Sequence, residues 1–173
     1  MQGNETIEGL IRAFADPSLG VRHAAIREIA GRGEEAIQPL IAALETARDT
    51  DARWYLSVTL AKIGESAVAP LIAAMQRITA PEFRRYAAAA LGEIGEPAIE
   101  PLIDALATED AALRGFISRA LCRIGQPAVE PLSRRLNDPD EILRSCASLT
   151  LLQMEEGVHV MLQKTVGEKD KAE

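Results

Sequence analysis

The chain has 173 residues, close to half of them apolar, a formal net charge of −7 and only 3% aromatic residues. That is enough for about one domain's core, filled by Ala, Leu and Ile, which suit closely packed helices better than strands. Neither half carries the Lys and Arg excess of a nucleic-acid footprint, no apolar run approaches the ~18 residues of a membrane span, and the N-terminus lacks the basic and apolar regions of a signal peptide, so the expected location is the cytoplasm.

The first predicted element is a helix over Ile7–Phe14, with Leu10 thirty residues before Leu40. A helix around Val21-Arg22 follows, then Gly33, then a helix reaching Leu44. The segment Gly33–Leu44 (GEEAIQPLIAAL) recurs as Gly64–Met75, Gly95–Leu106 and Gly125–Leu136, with the glycines stepping by 31, 31 and 30 residues. A fixed period of this size is the signature of stacked helical repeats.

Each unit contains two helices, A before the glycine and B after it. Counting from the glycine, apolar residues fall at +4 (Ile37, Val68, Ile99, Val129), +7 (Leu40, Leu71, Leu102, Leu132), +8 (Ile41, Ile72, Ile103, with Ser133 last) and +11 (Leu44, Met75, Leu106, Leu136). This is the stripe of an amphipathic helix. Proline at +6 (Pro39, Pro70, Pro101, Pro131) falls about one turn in, where it predicts a built-in kink. Helix A is anchored by an arginine: Arg22, Arg53, Arg84, Arg114 and Arg144. One residue before it stand Val21, Ala52, Phe83, Leu113 and Leu143, and seven after it Ile29, Leu60, Leu91, Leu121 and Leu151, again one apolar face. The glycines are expected to stop helix A as left-handed C-caps and make A and B antiparallel neighbours. At the C-terminal end Leu143–Met154 reads as a fifth A helix and Val158–Val166 as a degenerate last B helix, with Glu155 in the glycine position. The expectation is eleven helices in a single repeat domain over residues 1–166, followed by a charged tail at 167–173.

A unit of the form Val-Arg-x-x-Ala…Gly-x-x-Ala-x-x-Pro-Leu-Ile-x-x-Leu with an Asp-Pro turn resembles the HEAT-repeat family, and within it the short type of phycobilisome chromophore lyases. Asp16-Pro17 with Val21-Arg22, and Asp138-Pro139 with Leu143-Arg144, carry the turn; Ala47, Ile78 and Thr108 replace the aspartate elsewhere, so an Arg-to-Asp ladder is expected to be incomplete. The resemblance implies an all-α, right-handed α-solenoid of about five helical hairpins plus an N-terminal capping helix, with the B helices on the concave face. It also implies scaffold or adaptor roles, or that of a non-catalytic subunit of a chromophore lyase or cofactor-maturation complex.

Catalytic and cofactor motifs are missing. His23 and His159 lie in the first and last repeats, too far apart to share a metal, and neither begins the His-Glu pair that the iron-dependent branch of the family would need. No phosphate loop, serine elbow or CxxC occurs, so the chain reads as non-enzymatic and no cofactor is implied. Cys122 and Cys146 read as small buried hydrophobes or as a disulfide between two helices. The arginine column reads as repeat-to-repeat ties through turn carbonyls and acidic side chains, or as an anion site. The column Ala24, Tyr55, Tyr86, Phe116, Cys146 predicts an inter-repeat aromatic stack.

The partner-binding candidates are the B-helix positions opposite the core stripe. They are Gln38, Ala42 and Glu45; Ala69, Ala73 and Gln76; Glu100 and Asp104; Glu130 and Arg134. These columns vary between units while the core columns barely change. Ala42, Ala43, Ala69, Ala73 and Ala74 form an alanine floor, followed by an acidic unit and then a basic one. Such a face suits a protein partner presenting a helix or extended peptide. Trp54, in an otherwise polar column, is a further interface anchor.

Overall fold

The computed structural model describes residues 5–154. Among them the chain forms ten α-helices and six short 3-10 turns, with no strand: α1 (Ile7–Arg12), α2 (Leu19–Gly31), α3 (Ile37–Thr46), α4 (Thr50–Ile63), α5 (Val68–Arg77), α6 (Pro81–Ile94), α7 (Ile99–Ala105), α8 (Ala111–Ile124), α9 (Val129–Arg134) and α10 (Glu141–Gln153). The A helices are α2, α4, α6, α8 and α10, and the B helices are α1, α3, α5, α7 and α9. This is an all-α solenoid of helical hairpins opened by a single B-type helix. The expected eleventh helix, Val158–Val166, with Glu155, His159 and the 167–173 tail, lies outside the described residues.

The chain divides between Ile94 and Gly95 into two compact units. In the first, α1 packs on α2 and α3, α2 on α4, α3 on α4 and α5, and both α4 and α5 on α6. In the second, α7 packs on α8 and α9, and α10 on α8 and α9. Each A helix therefore meets the next A helix, and each B helix meets both the next B helix and the A helix that follows it, within its unit. The apolar stripes supply the contacts. Ile29, Leu60, Leu91, Leu121 and Leu151 are all fully buried, as are Leu40, Leu71, Leu102 and Leu132. Val21 departs from its column, standing exposed at the start of α2, with no A helix before it among the described residues.

Helix starts follow local chemistry. Asp49 accepts a hydrogen bond from the Ala52 amide at 2.8 Å, Asp110 from Leu113 at 2.9 Å and Asp140 from Ile142 at 2.8 Å, each capping an A helix. In the Asp-Pro turns, Asp16 and Asp138 instead accept from the amide two residues on, Ser18 at 2.8 Å and Asp140 at 3.0 Å, closing the turn on itself.

The A-to-B corner differs from the expected left-handed cap. Gly64, Gly95 and Gly125 have φ between 77° and 84°, but ψ between −143° and −136°. That region is reserved for glycine more strictly than the left-handed helical one. Residues +1 to +3 then form a 3-10 turn, and the α-helix proper begins at +4. The repeated proline is thus the third residue of its α-helix, among the first amides, which have no intrahelical acceptor. The predicted kink inside helix B is a 3-10 to α junction ahead of it. Between Thr50–Ile63 and Glu65–Arg77 the chain turns through 119°, well short of the reversal of a strictly antiparallel pair.

The arginine column works through backbone. Arg53 Nε donates to Ala47 O at 3.0 Å, Arg84 Nε to Ile78 O at 3.0 Å, Arg114 Nη1 to Thr108 O at 2.6 Å and Arg144 Nη1 to Asp138 O at 2.6 Å. Each acceptor lies six residues upstream, on the turn that leads into the A helix. The side chain at that position is immaterial to the bond, which is why Ala, Ile and Thr can replace the aspartate there. Arg53 also reaches Glu82, 3.4 Å away on α6, a carboxylate contact of the kind expected of the ladder. Arg22 is different: its Nε is buried without a hydrogen-bond partner among the described residues, and its guanidinium lies 5.3 Å over the Tyr55 ring.

Nor does the aromatic column stack as predicted. Tyr55 stacks on Phe14 at 5.7 Å and meets Trp54 edge-on at 4.9 Å, while Tyr86 lies beneath Arg85 and Phe116 beneath Arg119. The residues sit one repeat apart on their helices, but a neighbouring guanidinium or the Phe14 ring, in the 3-10 turn after α1, reaches each face first.

Candidate functional site

Among the described residues no three His, Cys, Asp or Glu side chains gather as a metal cluster, and no single helix is long and apolar enough to cross a membrane. Cys122 and Cys146 are free thiols, Cys146 buried and Cys122 half-buried. Burial pushes both thiols above their ordinary pKa; at Cys146 the Arg114 charge opposes that rise and Asp140 adds to it. A raised pKa leaves less of each side chain as thiolate. The predicted disulfide alternative is not formed.

The ten B-helix candidates are all exposed: Gln38, Ala42 and Glu45 on α3, Ala69, Ala73 and Gln76 on α5, Glu100 and Asp104 on α7, and Glu130 and Arg134 on α9. The helical period explains it. Positions +5 and +9 are one turn apart, on the side opposite +4, +7 and +11, which are buried in every described unit.

In the first unit, α3 packs beside α5, and the surface they share is floored by Ala42, Ala69 and Ala73, with Ala43 and Ile72 half-buried. Ala74, expected in this floor, is buried instead, because on α5 it turns toward the core beside Met75. A flank of the floor is held by Arg77, 3.7 Å from Glu45 across the two helices. The side chains over it are short, and a partner backbone can approach closely, since the distance between packed helices is set by the side chains at the contact.

In the second unit several of the candidate charges are paired. Arg134 meets Glu100 at 3.0 Å, and Arg135 meets Glu100 at 3.3 Å, Asp104 at 3.2 Å and Asp138 at 3.5 Å. The acidic α7 and the basic end of α9 pair with each other across their interface while staying exposed. Burial acts to lower the Arg135 pKa, but the Glu100 hydrogen bond and the Asp104 and Glu100 charges outweigh it and hold the group above its ordinary value. Glu130 is outside this network.

Trp54 lies elsewhere. It is on α4, an A helix, half exposed, and it lines a groove of about 300 Å³ between α2 and α4 with His23, Ile26, Arg27, Val58 and Lys62. The structure therefore brings the α3 and α5 candidates together and leaves Trp54 outside that group.

The sequence matches the family described as HEAT repeats over residues 4–78, 37–115 and 68–152, which together take in nearly all the described chain. The match is to HEAT repeats at large and does not single out the short lyase type. No curated protein matches the chain.

Proposed function

Because the chain belongs to the HEAT-repeat family, whose repeats commonly serve as protein-interaction scaffolds, we propose that it is a non-enzymatic adaptor holding a partner protein against the face of its B helices. Residues 1–166 act as one repeat domain in this reading, and the partner presents a helix or an extended peptide. The observation that carries it is the alanine-floored surface of α3 and α5. Ala42 and Ala73 are exposed at equivalent positions of successive repeats, with Ala69 exposed one turn before Ala73, while the +4, +7 and +11 stripe residues beneath them are buried in the core. A row of equivalent positions on a rigid repeat is how such folds present an extended binding surface. Burial of apolar surface on the alanines supplies the attraction, and Gln38 and Gln76 at the edges supply hydrogen bonds.

The test is partner recovery with tagged protein from the source cell's lysate, using the wild type and Ala69→Arg/Ala73→Arg. Both alanines are exposed, so the variant should keep its helical content and melting temperature while losing its specific partner by more than tenfold. Equal recovery of that partner by both proteins would move the binding site off this face.

A further inference from the structure

The groove between α2 and α4 has a chemistry unlike the rest of the surface. Its six lining residues are His23, Ile26 and Arg27 on α2, and Trp54, Val58 and Lys62 on α4. The first three are spaced i, i+3, i+4 and the second three i, i+4, i+8, so each set is a single stripe on its helix. Ile26 is buried at the floor, Val58 is half-buried, and Trp54 is 50% exposed. Arg27 and Lys62 make no ion pair or hydrogen bond among the described residues, and neither does His23. No carboxylate lines the groove. The nearby acids are placed otherwise: Glu28 is tied to Arg32 at 3.3 Å, and Asp51 is one turn below Trp54 and outside the lining.

A protein with a net charge of −7 thus keeps two unpaired fixed cations and a histidine around an exposed indole. Held on two packed helices, this arrangement has an apolar floor, an aromatic wall and a cationic rim. We infer that the α2–α4 groove docks an acidic peptide segment of a partner protein, with one large apolar residue set against Trp54, Ile26 and Val58 and with carboxylates meeting Arg27 and Lys62. The opposite charges supply register and speed of encounter, and the indole supplies the desolvated anchor. A single aromatic side chain offers only one stacking platform, which favours a peptide over a single-stranded nucleic acid, where successive bases need successive platforms. The groove is on A helices, so it adds a second contact to the adaptor reading and does not depend on it.

Trp54 is the chain's sole tryptophan, so its emission reports on this groove alone. The probes are a set of 12-residue peptides, each with four Glu and one Leu, Ile or Phe at varied spacing, titrated into the full chain at low salt. Members with the matching spacing should shift the emission to the blue. Arg27→Glu/Lys62→Glu, two exposed positions, should weaken that binding at least tenfold with melting unchanged, and Ala69→Arg/Ala73→Arg should leave it as it is. Lys-for-Glu counterparts should give no shift. The inference is overturned if no acidic peptide shifts Trp54 emission at millimolar concentration, if the charge-reversed protein binds as well as the wild type, or if a 12-nucleotide oligo-dT binds more tightly than every peptide.

Discussion

Gly95 and Gly115 are the same residue under opposite constraints. Gly95 sits at φ 82°, ψ −136°, a conformation that an L side chain adopts only under strain, and a Cβ there would meet nothing within 4 Å. The penalty for Gly95→Ala is therefore backbone strain alone, about 1–3 kcal/mol. Gly115 is exposed inside α8, and its Cβ would likewise meet nothing. There alanine relieves the entropy that glycine loses in a helix, a gain of about 0.5–1 kcal/mol. Urea denaturation should move in opposite directions for the two substitutions. A stable Gly95→Ala protein would mean that the corner relaxes into ordinary helical geometry. The periodic glycines were legible from spacing alone, and so was their positive φ. The ψ was not, because it depends on the 3-10 turn that follows, which no residue type marks.

The link between one element and the next was half legible. The recurring arginine pointed to repeat-to-repeat ties, and its loss of aspartate partners in three turns looked like a defect in the ladder. The acceptor is a carbonyl six residues upstream, and a backbone oxygen leaves no trace in a sequence column. The charged partners of Arg134 and Arg135 were written in the chain, since Glu100 and Asp104 fall 31 to 35 residues earlier, about one repeat period. Arg84 and Arg22 separate the energetic consequences. Arg84 is 2% exposed and its Nε donates to Met75 O at 2.9 Å and Ile78 O at 3.0 Å, joining the end of α5 to α6. Arg84→Met leaves those buried carbonyls without this donor and should cost about 2–4 kcal/mol, the scale of a lost charged hydrogen bond plus desolvation. Arg22 gives up no Nε bond and only its stacking on Tyr55, so Arg22→Met should cost about 1 kcal/mol or less. Chemical melts of the two variants give the ranking, and equal costs would show that the carbonyl bonds contribute little.

At the scale of the whole chain, repeats of this kind are stabilised mainly by each helix against its neighbours, so damage should remain local before it spreads. The 31-residue period made the helix order and the core columns readable, because identical packing demands identical side chains. Which surface binds was not readable in the same way, since exposed columns vary freely whether or not they carry a contact. Leu40 and Leu132 occupy the same core column, on α3 in the first unit and α9 in the second, and both are fully buried. Truncating either to alanine should cost about 2–5 kcal/mol. Global melting of the two variants will look alike. Amide hydrogen exchange distinguishes them: with Leu132→Ala, protection should fall first in α9 and in α7 and α10, the helices packed on it, while α2 and α4 keep nearly wild-type rates. With Leu40→Ala the order should reverse, with α1 to α5 losing protection first. If both variants instead raise exchange uniformly from α1 to α10, the chain unfolds as one cooperative block, and neighbour-by-neighbour energetics do not describe it.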